Sequence, residues 1–227
     1  MDLGRATWMQ VDATAGADLL AVPLGSLEQH GPHLPLDTDT RIAQALAGGL
    51  AGQRPGVAVA PAVAYGASGE HAGFAGTLVV GHDVLAALLV ELVRSARSSF
   101  AGVVLVNAHG GNEQTLAAVE ARCGAEGDPV LAWRAGVRGG DAHAGRTETS
   151  LMLAIDPAAV RLDLAEPGCT EPIERLLPRL RAEGVRPVSS NGVLGDPSGA
   201  SAEEGRALLE SLVGDLAASV ARRWPAS

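Results

Sequence analysis

Aromatic side chains make up only 3% of the 227 residues, although 47% of the chain is hydrophobic. The apolar content is therefore mostly Ala, Val and Leu, which suits helices packed on a parallel sheet. Cysteine is nearly missing as well. Cys123 and Cys169 make no disulfide framework, and a bridge between them is not expected in a reducing compartment. No window reaches the roughly 18 unbroken apolar residues of a membrane span. The opening segment MDLGRATWMQVDATAG lacks a basic region followed by an apolar stretch, so no secretory signal is read there and the cytoplasm is the expected location. Positive charge is short too: 17 Lys and Arg against 26 Asp and Glu leave a net charge of −9. An acidic surface argues against nucleic acid and anionic membranes as partners. There is no internal repeat and no low-complexity linker. A chain of this size buries roughly 70–75% of its unfolded surface without staples, and residues 1–227 read as a single domain.

What is present is an alternation of strands and helices. Leu19–Pro23, 57–63, Val103–Asn107 and Pro129–Trp133 read as buried strands. Helices are expected over 38–51, 83–100, from about 112 to 122, over 146–155 and over 171–182, and a last one follows Ser201-Ala202-Glu203-Glu204, which has the form of a capping box. Residues 66–76, 134–145 and 185–199 are rich in Gly, Pro or Ser and read as loops. Strands that alternate with helices imply an α/β fold with a mostly parallel sheet covered on both faces, and ligands there bind beyond the carboxyl ends of the strands.

The six histidines are the most informative residues, because most fall in Gly/Pro-rich segments near those strand ends. VPLGSLEQHGPHLPLDTDT (22–40) packs Glu28, His30, His33, Asp37 and Asp39 into one turn-rich stretch. Glu28 and His30, two apart, point to one side of an extended backbone. Carboxylates with imidazoles suit Zn2+, Mn2+ or Fe2+. The plainer alternatives are that Asp39 caps the following helix and Glu28 is solvated. VVLVNAHGGN (103–112) delivers His109 from a strand to a glycine turn, where Asn107 and Asn112 are placed to orient it or a substrate carbonyl. A phosphate-binding loop competes there, but neither GxGxxG nor Gly-Lys-Ser/Thr follows. GGDAHAGRTETS (139–150) offers His143 in a loop and Glu148 at a helix start, where Glu148 could equally serve the helix dipole. In YGASGEHAGFAGT (65–77), Ser68, Glu70 and His71 are candidate substrate contacts alongside Asn112 and Trp133, or else plain loop residues. His82 reads as a helix-start surface residue.

The strings PLGSLEQHGPHLPLDTDT, YGASGEHAGFAGT, NAHGGN and DAHAGRTETS, in that order, together with VSSNGVLGDPSGASAEEG (188–205), resemble the creatininase family. The resemblance implies a three-layer α/β/α sandwich holding two adjacent divalent ions per subunit. It implies that Glu28 and His109 ligate one ion, that His30 and Glu148 ligate the other, that Asp39 bridges both, and that His143 is the general acid/base. It further implies a homo-oligomer, often a hexamer. Creatinine hydrolases carry a Glu two residues after the histidine matching His109, where this chain has Gly111, and they box their ring with tryptophans, whereas residues 134–147 contain no aromatic. The likeness is stronger to the polypeptide-trimming branch, whose substrate is a modified precursor peptide. Two other functions compete: a small-molecule amidohydrolase that opens a cyclic amide or removes a formyl group, and a metal-binding module without catalysis. The present His143 and the few protein ligands per ion argue against the last.

Overall fold

The structure, a computed structural model, describes residues 1–225. Its centre is a four-stranded, wholly parallel sheet. Strands β1 (Leu19–Leu24), β2 (Val57–Val59), β3 (Gly102–Asn107) and β4 (Val130–Arg134) lie in the order β2-β1-β3-β4. Among the described residues, seven α-helices accompany it: α1 (Trp8–Asp12), α2 (Thr38–Gln53), α3 (His82–Ala96), α4 (Glu113–Glu126), α5 (Arg146–Ile155), α6 (Ile173–Glu183) and α7 (Ala202–Arg223).

The period-two geometry of a strand divides the core between the two faces. Leu19, Ala21, Val104, Val106 and Trp133 face α2, α5 and α7, where they meet Ile42, Leu46, Leu50, Met152, Leu212 and Leu216. Leu20, Val22, Leu24, Val103, Leu105 and Ala132 face the other way, against Leu85, Leu89, Val93, Leu116 and Val119 of α3 and α4. Burial on both sides is why β1 and β3 read as unbroken apolar runs, with every residue of each strand buried. The observed layers are those of an α/β/α sandwich.

Several boundaries differ from the sequence expectation, each for a local reason. The strand expected over 57–63 ends at Val59, because Pro61 has no N–H to give the ladder; only the Ala60 and Val63 amides still reach Ala21 and Pro23 carbonyls on β1, at 2.9 Å each. Helix α3 stops at Ala96 rather than Phe100, although Phe100 stays in the core. Helix α4 runs on to Glu126, closed by Gly127 at φ +75°. The expected capping box is half formed. Ser201 Oγ accepts from the Glu204 amide at 3.1 Å, but the Glu204 carboxylate turns to Arg146 and Ser150, and the Ser201 amide donates to Ser150 Oγ instead. The short α1 carries no apolar period and was not expected; its Thr7 and Gln10 form a capping box of their own.

These bonds join α5 to α7 at close range. A Cβ on Gly205 would lie 1.8 Å from the Ser150 carbonyl oxygen. Gly205→Ala is therefore expected to overpack the crossing by about 1–3 kcal/mol and to lower the thermal unfolding midpoint. An unchanged midpoint would show that the two helices can part without cost.

Candidate metal centre

Every candidate ligand leaves the sheet at its carboxyl edge. After Leu24 the chain turns at Gly25, where any Cβ would meet the Thr40 amide at 2.4 Å, so the segment carrying Glu28 and His30 folds against the start of α2. Asp39 sits in the first turn of α2, and the capping position belongs to Asp37, so Asp39 is not the helix cap. His109 follows β3 directly, and Glu148 lies in the first turn of α5. Ala144, just before it, is the one non-glycine residue with positive φ (52°) among the described residues; its amide donates to Glu148 Oε2 at 2.6 Å. Backbone strain of this kind persists where the surroundings over-determine it.

The side chains converge. Asp39 Oδ1 lies 3.1 Å from His30 Nε2, and Asp39 Oδ2 lies 3.0 Å from His109 Nδ1. Glu28 Oε2 is 3.3 Å from His109 Nδ1, and Glu148 Oε2 is 4.0 Å from His30 Nε2. One ligand atom each from Glu28, Asp39 and His109 fits within 4.8 Å, and so does one each from His30, His143 and Glu148. Glu28, His30 and Asp39 are sealed from solvent at 0%, 0% and 1% exposure. Ser26 Oγ donates to Asp39 Oδ2 at 2.8 Å.

Among the described residues, neither carboxylate oxygen of Glu28 has a hydrogen-bond partner, despite full burial. A buried, unpaired carboxylate is costly unless a cation meets it. His30 Nδ1 donates to the Glu28 carbonyl at 3.1 Å, so Nε2, the atom against Asp39, needs a second proton or a cation between them. These are the marks of a site shaped for positive charge. Burial pushes Glu28 up to about 8, against the pull of His109, and pushes Glu148 up to about 7, against the pull of His30. Burial works against charged His30 and His109 too, yet the carboxylates outweigh it: Asp39 foremost for His30 and Glu28 foremost for His109, and both rise to about 10. Burial likewise disfavours charged Asp39, but His30 and His109 hold it well below the usual carboxylate range.

His143 and His71 stand beside the cluster. His143 packs on His30 at 4.4 Å and on His71 at 4.5 Å between ring centroids. His71 Nε2 is 3.3 Å from Glu28 Oε1. Burial, then the neighbouring histidines, keeps both rings neutral: His71 falls to about 3 and His143 well below its usual value. A cavity of about 870 Å3 opens over the cluster, with Ile173, Leu177, Leu180 and Arg181 of α6 on its far wall.

The remaining candidates divide. Glu70 lines the cavity, and its carboxylate crowds position 111: a Cβ there would meet His109 Nε2, the Ala67 oxygen and Glu70 Oε1 at 2.4, 2.5 and 2.7 Å. Glycine at 111 is thus what lets Glu70 approach. His82 is half-buried rather than surface, bonded to Thr115 Oγ1 at 3.0 Å at the cavity mouth. His33 is outside the cluster, bound to Thr149 Oγ1 at 2.9 Å. Three expected substrate contacts are corrected. Trp133 faces the α2–α5–α7 side of the sheet and donates Nε1–H to Asp215 of α7 at 2.8 Å. The Asn112 amide is spent tying together Gly25, Ala67 and Asn107. Ser68 is fully buried and does not line the cavity. Gln29, which the sequence did not single out, lies between His71 and His143, its Nε2 at 2.8 Å from His71 Nδ1 and 3.0 Å from His143 Nε2.

A parallel α/β/α sandwich with this buried carboxylate–imidazole cluster at its strand ends defines a class, α/β proteins with a candidate cation site beyond the carboxyl ends of the strands. The model of the family described as Creatininase: Creatinine amidohydrolase matches residues 4–220. The chain is similar to the mycofactocin precursor peptide peptidase of Mycobacterium ulcerans, 47% identical over 99% of this chain and 92% of the relative. It is also similar to the creatinine amidohydrolase of Pseudomonas putida, 30% identical over 98% and 97% of the two chains. A crystal structure of creatinine amidohydrolase superimposes with a TM-score of 0.79 at 26% identity, over 99% of this chain and 98% of that one. The chain belongs to the creatininase family.

The pKa shifts fix a pH dependence for the metal-free protein. Raised carboxyls (Glu28, Glu148) destabilise the fold progressively above 4.5, until each ionises. Raised histidines (His30, His109) contribute stability that is whole below 6.5 and is lost toward about 10. Lowered His71 and His143 act only below 6.5. Between 6.5 and about 8 the two sets act together, and from about 8 to 10 the histidines act alone, so the thermal midpoint of chelator-stripped protein is expected to fall across pH 7 to 10. A flat or rising midpoint would contradict the reading of a site short of positive charge.

Proposed function

We propose that residues 1–227 act as one creatininase-like hydrolase domain, a metal-dependent peptidase that cuts an amide bond near the C-terminus of a modified precursor peptide, with release of a Val-Tyr dipeptide in mycofactocin maturation. The observation that carries the metal dependence is Glu28, buried without a partner among His30, Asp39 and His109. The full-length likeness to a precursor peptide peptidase supports the substrate. Glu28, Asp39 and His109 would hold one divalent ion, and His30 and Glu148 would hold a second, with Asp39 shared between the two. Three carboxylates nearly neutralise two such ions. When bound, a pair of divalent ions acidifies water toward a pKa of about 7 and polarises the scissile carbonyl. Solved creatininases include a Zn-Zn form and an Mn form, and this donor set accepts Zn2+, Mn2+ or Fe2+.

His143 is the proton-transfer group in this reading. It is neutral, buried beside the cluster and lines the cavity. Glu70 and His71, on the same wall, would contact the peptide. An open cavity, with Trp133 turned away and no aromatic in 134–147, suits a peptide better than a caged ring. No helix among the described residues is long and apolar enough to cross a membrane, and we place the protein in the cytoplasm. We also propose a homo-oligomer, a hexamer by family likeness. Val84, Leu88 and Leu92, spaced by four on α3, leave an apolar stripe exposed.

Asp39→Ala is expected to lose both bound metal and turnover, measured by elemental analysis and peptide cleavage. Full activity with two ions bound would remove the bridging role. His143→Ala is expected to keep its metal and slow cleavage at least about tenfold; wild-type rates would clear His143. Incubation of metal-loaded protein with the modified precursor peptide, followed by mass spectrometry, is expected to show a released dipeptide, and an intact peptide would overturn the substrate assignment.

A further inference from the structure

Gln29 lies between His71 and His143 at the edge of the cluster. It is 5% exposed, and its carboxamide orientation is settled by two main-chain partners with fixed roles. The Gly31 amide donates to Oε1 at 2.8 Å, and Nε2 donates to the Gly192 carbonyl at 3.1 Å. Exchanging oxygen and nitrogen would set donor against donor and acceptor against acceptor. Nε2 is therefore the NH2 group, and its other partner, at 2.8 Å, is His71 Nδ1. An NH2 group only donates, so His71 Nδ1 is bare and the ring proton sits on Nε2, 3.3 Å from Glu28 Oε1.

The main chain of Gln29 treats His143 in the complementary way. Its carbonyl lies 2.8 Å from His143 Nε2, and a carbonyl only accepts. His143 therefore carries its proton on Nε2, leaving Nδ1 bare on the cluster side, 3.7 Å from Glu28 Oε1. Gln29 Nε2 also lies 3.0 Å from His143 Nε2, but with a proton on each nitrogen this is a contact and not a hydrogen bond. The loop around 192 is built to receive the amide. A Cβ on Gly192 would fall 1.8 Å from Gln29 Oε1, and its φ of +83° suits only glycine.

We infer that Gln29 is a positioning residue that fixes the tautomers of His71 and His143, its side chain acting on the first and its carbonyl on the second, so that His143 offers a bare Nδ1 to the reacting groups. The catalytic consequence rests on the proposed peptidase reading. Nδ1 takes a proton from the attacking water as the new C–O bond forms. As the C–N bond breaks and its electron pair stays on nitrogen, the same proton passes to the leaving amine. His71, meanwhile, turns its Nε2–H edge toward Glu28 Oε1, 3.3 Å away, and so presents positive charge to that carboxylate.

The test is long-range 1H–15N correlation spectroscopy of the full chain with 15N-labelled histidine, metal-free and zinc-loaded, with peaks assigned from single His→Gln variants. Both His71 and His143 are expected as Nε2–H tautomers in the wild type. In Gln29→Glu the side chain can only accept, so the His71 proton is expected to move to Nδ1 while His143 keeps its own on Nε2. In that variant kcat is expected to fall roughly 10–100-fold with KM little changed. A proton on Nδ1 of either neutral ring in the wild type overturns the inference, whether or not the variant folds; unchanged tautomers and turnover in Gln29→Glu overturn it too. A wild type that takes up no metal and cleaves no peptide sinks the peptidase reading instead, and the tautomers remain readable.

Discussion

The Asp39 carboxylate, closed off from water between His30 and His109, is the interaction on which the rest of this molecule depends. One oxygen faces each imidazole at about the same distance. The turn at Gly25, the Ser26 hydroxyl on Asp39 and the placement of Asp39 in the first turn of α2 all serve to hold that carboxylate inward. Around it stand two more carboxylates: Glu28, fully buried with no hydrogen-bond donor among the described residues, and Glu148, partly exposed and held by the Ala144 amide. A fold does not retain three such groups within a few ångströms unless positive charge is supplied, and neutral His71 and His143 do not supply it.

The sheet explains why the groups can meet. Parallel strands point their carboxyl ends the same way, so segments far apart in sequence emerge on one edge. β1 delivers Glu28 and His30, β3 delivers His109, and the chain leaving β4 delivers His143 and Glu148. The core on either face is mostly Leu, Val and Ala, with no titratable residue among its buried members except Cys123. Stability and chemistry are thus separated: the apolar layers hold the strands, and the edge is left to carry strain, burial of charge and close glycine contacts.

Much of this was legible in the residues. β1 and β3 could be read because doubly buried strands leave apolar runs, and the cluster because Glu28, His30, Asp39, His109, His143 and Glu148 stand in Gly/Pro-rich segments of an otherwise apolar chain. What escaped was decided by partners distant in sequence. Trp133 lies next to the end of β4, but its parity sends it to the α7 side, while Ala132 faces α3 and α4. Asn112 looks free until three loops close around its amide. Gln29 has no motif signature of its own; its role depends on Gly192, 163 residues away. The second arm of the Ser201 cap failed in the same way, through Arg146, 58 residues off, which draws Glu204 away; only the strand after Val59 failed for a local reason, a proline without an N–H.

The central claim is that the carboxylate–imidazole cluster is a paired cation site with Asp39 at its middle. Anomalous diffraction at the zinc edge, from crystals of the zinc-loaded protein, tests it most directly. Two peaks about 3.5–4 Å apart, one beside Glu28 and His109 and the other beside His30 and Glu148, with Asp39 reaching both, are the expected result. A single peak away from Asp39, or none within the cluster, would contradict it.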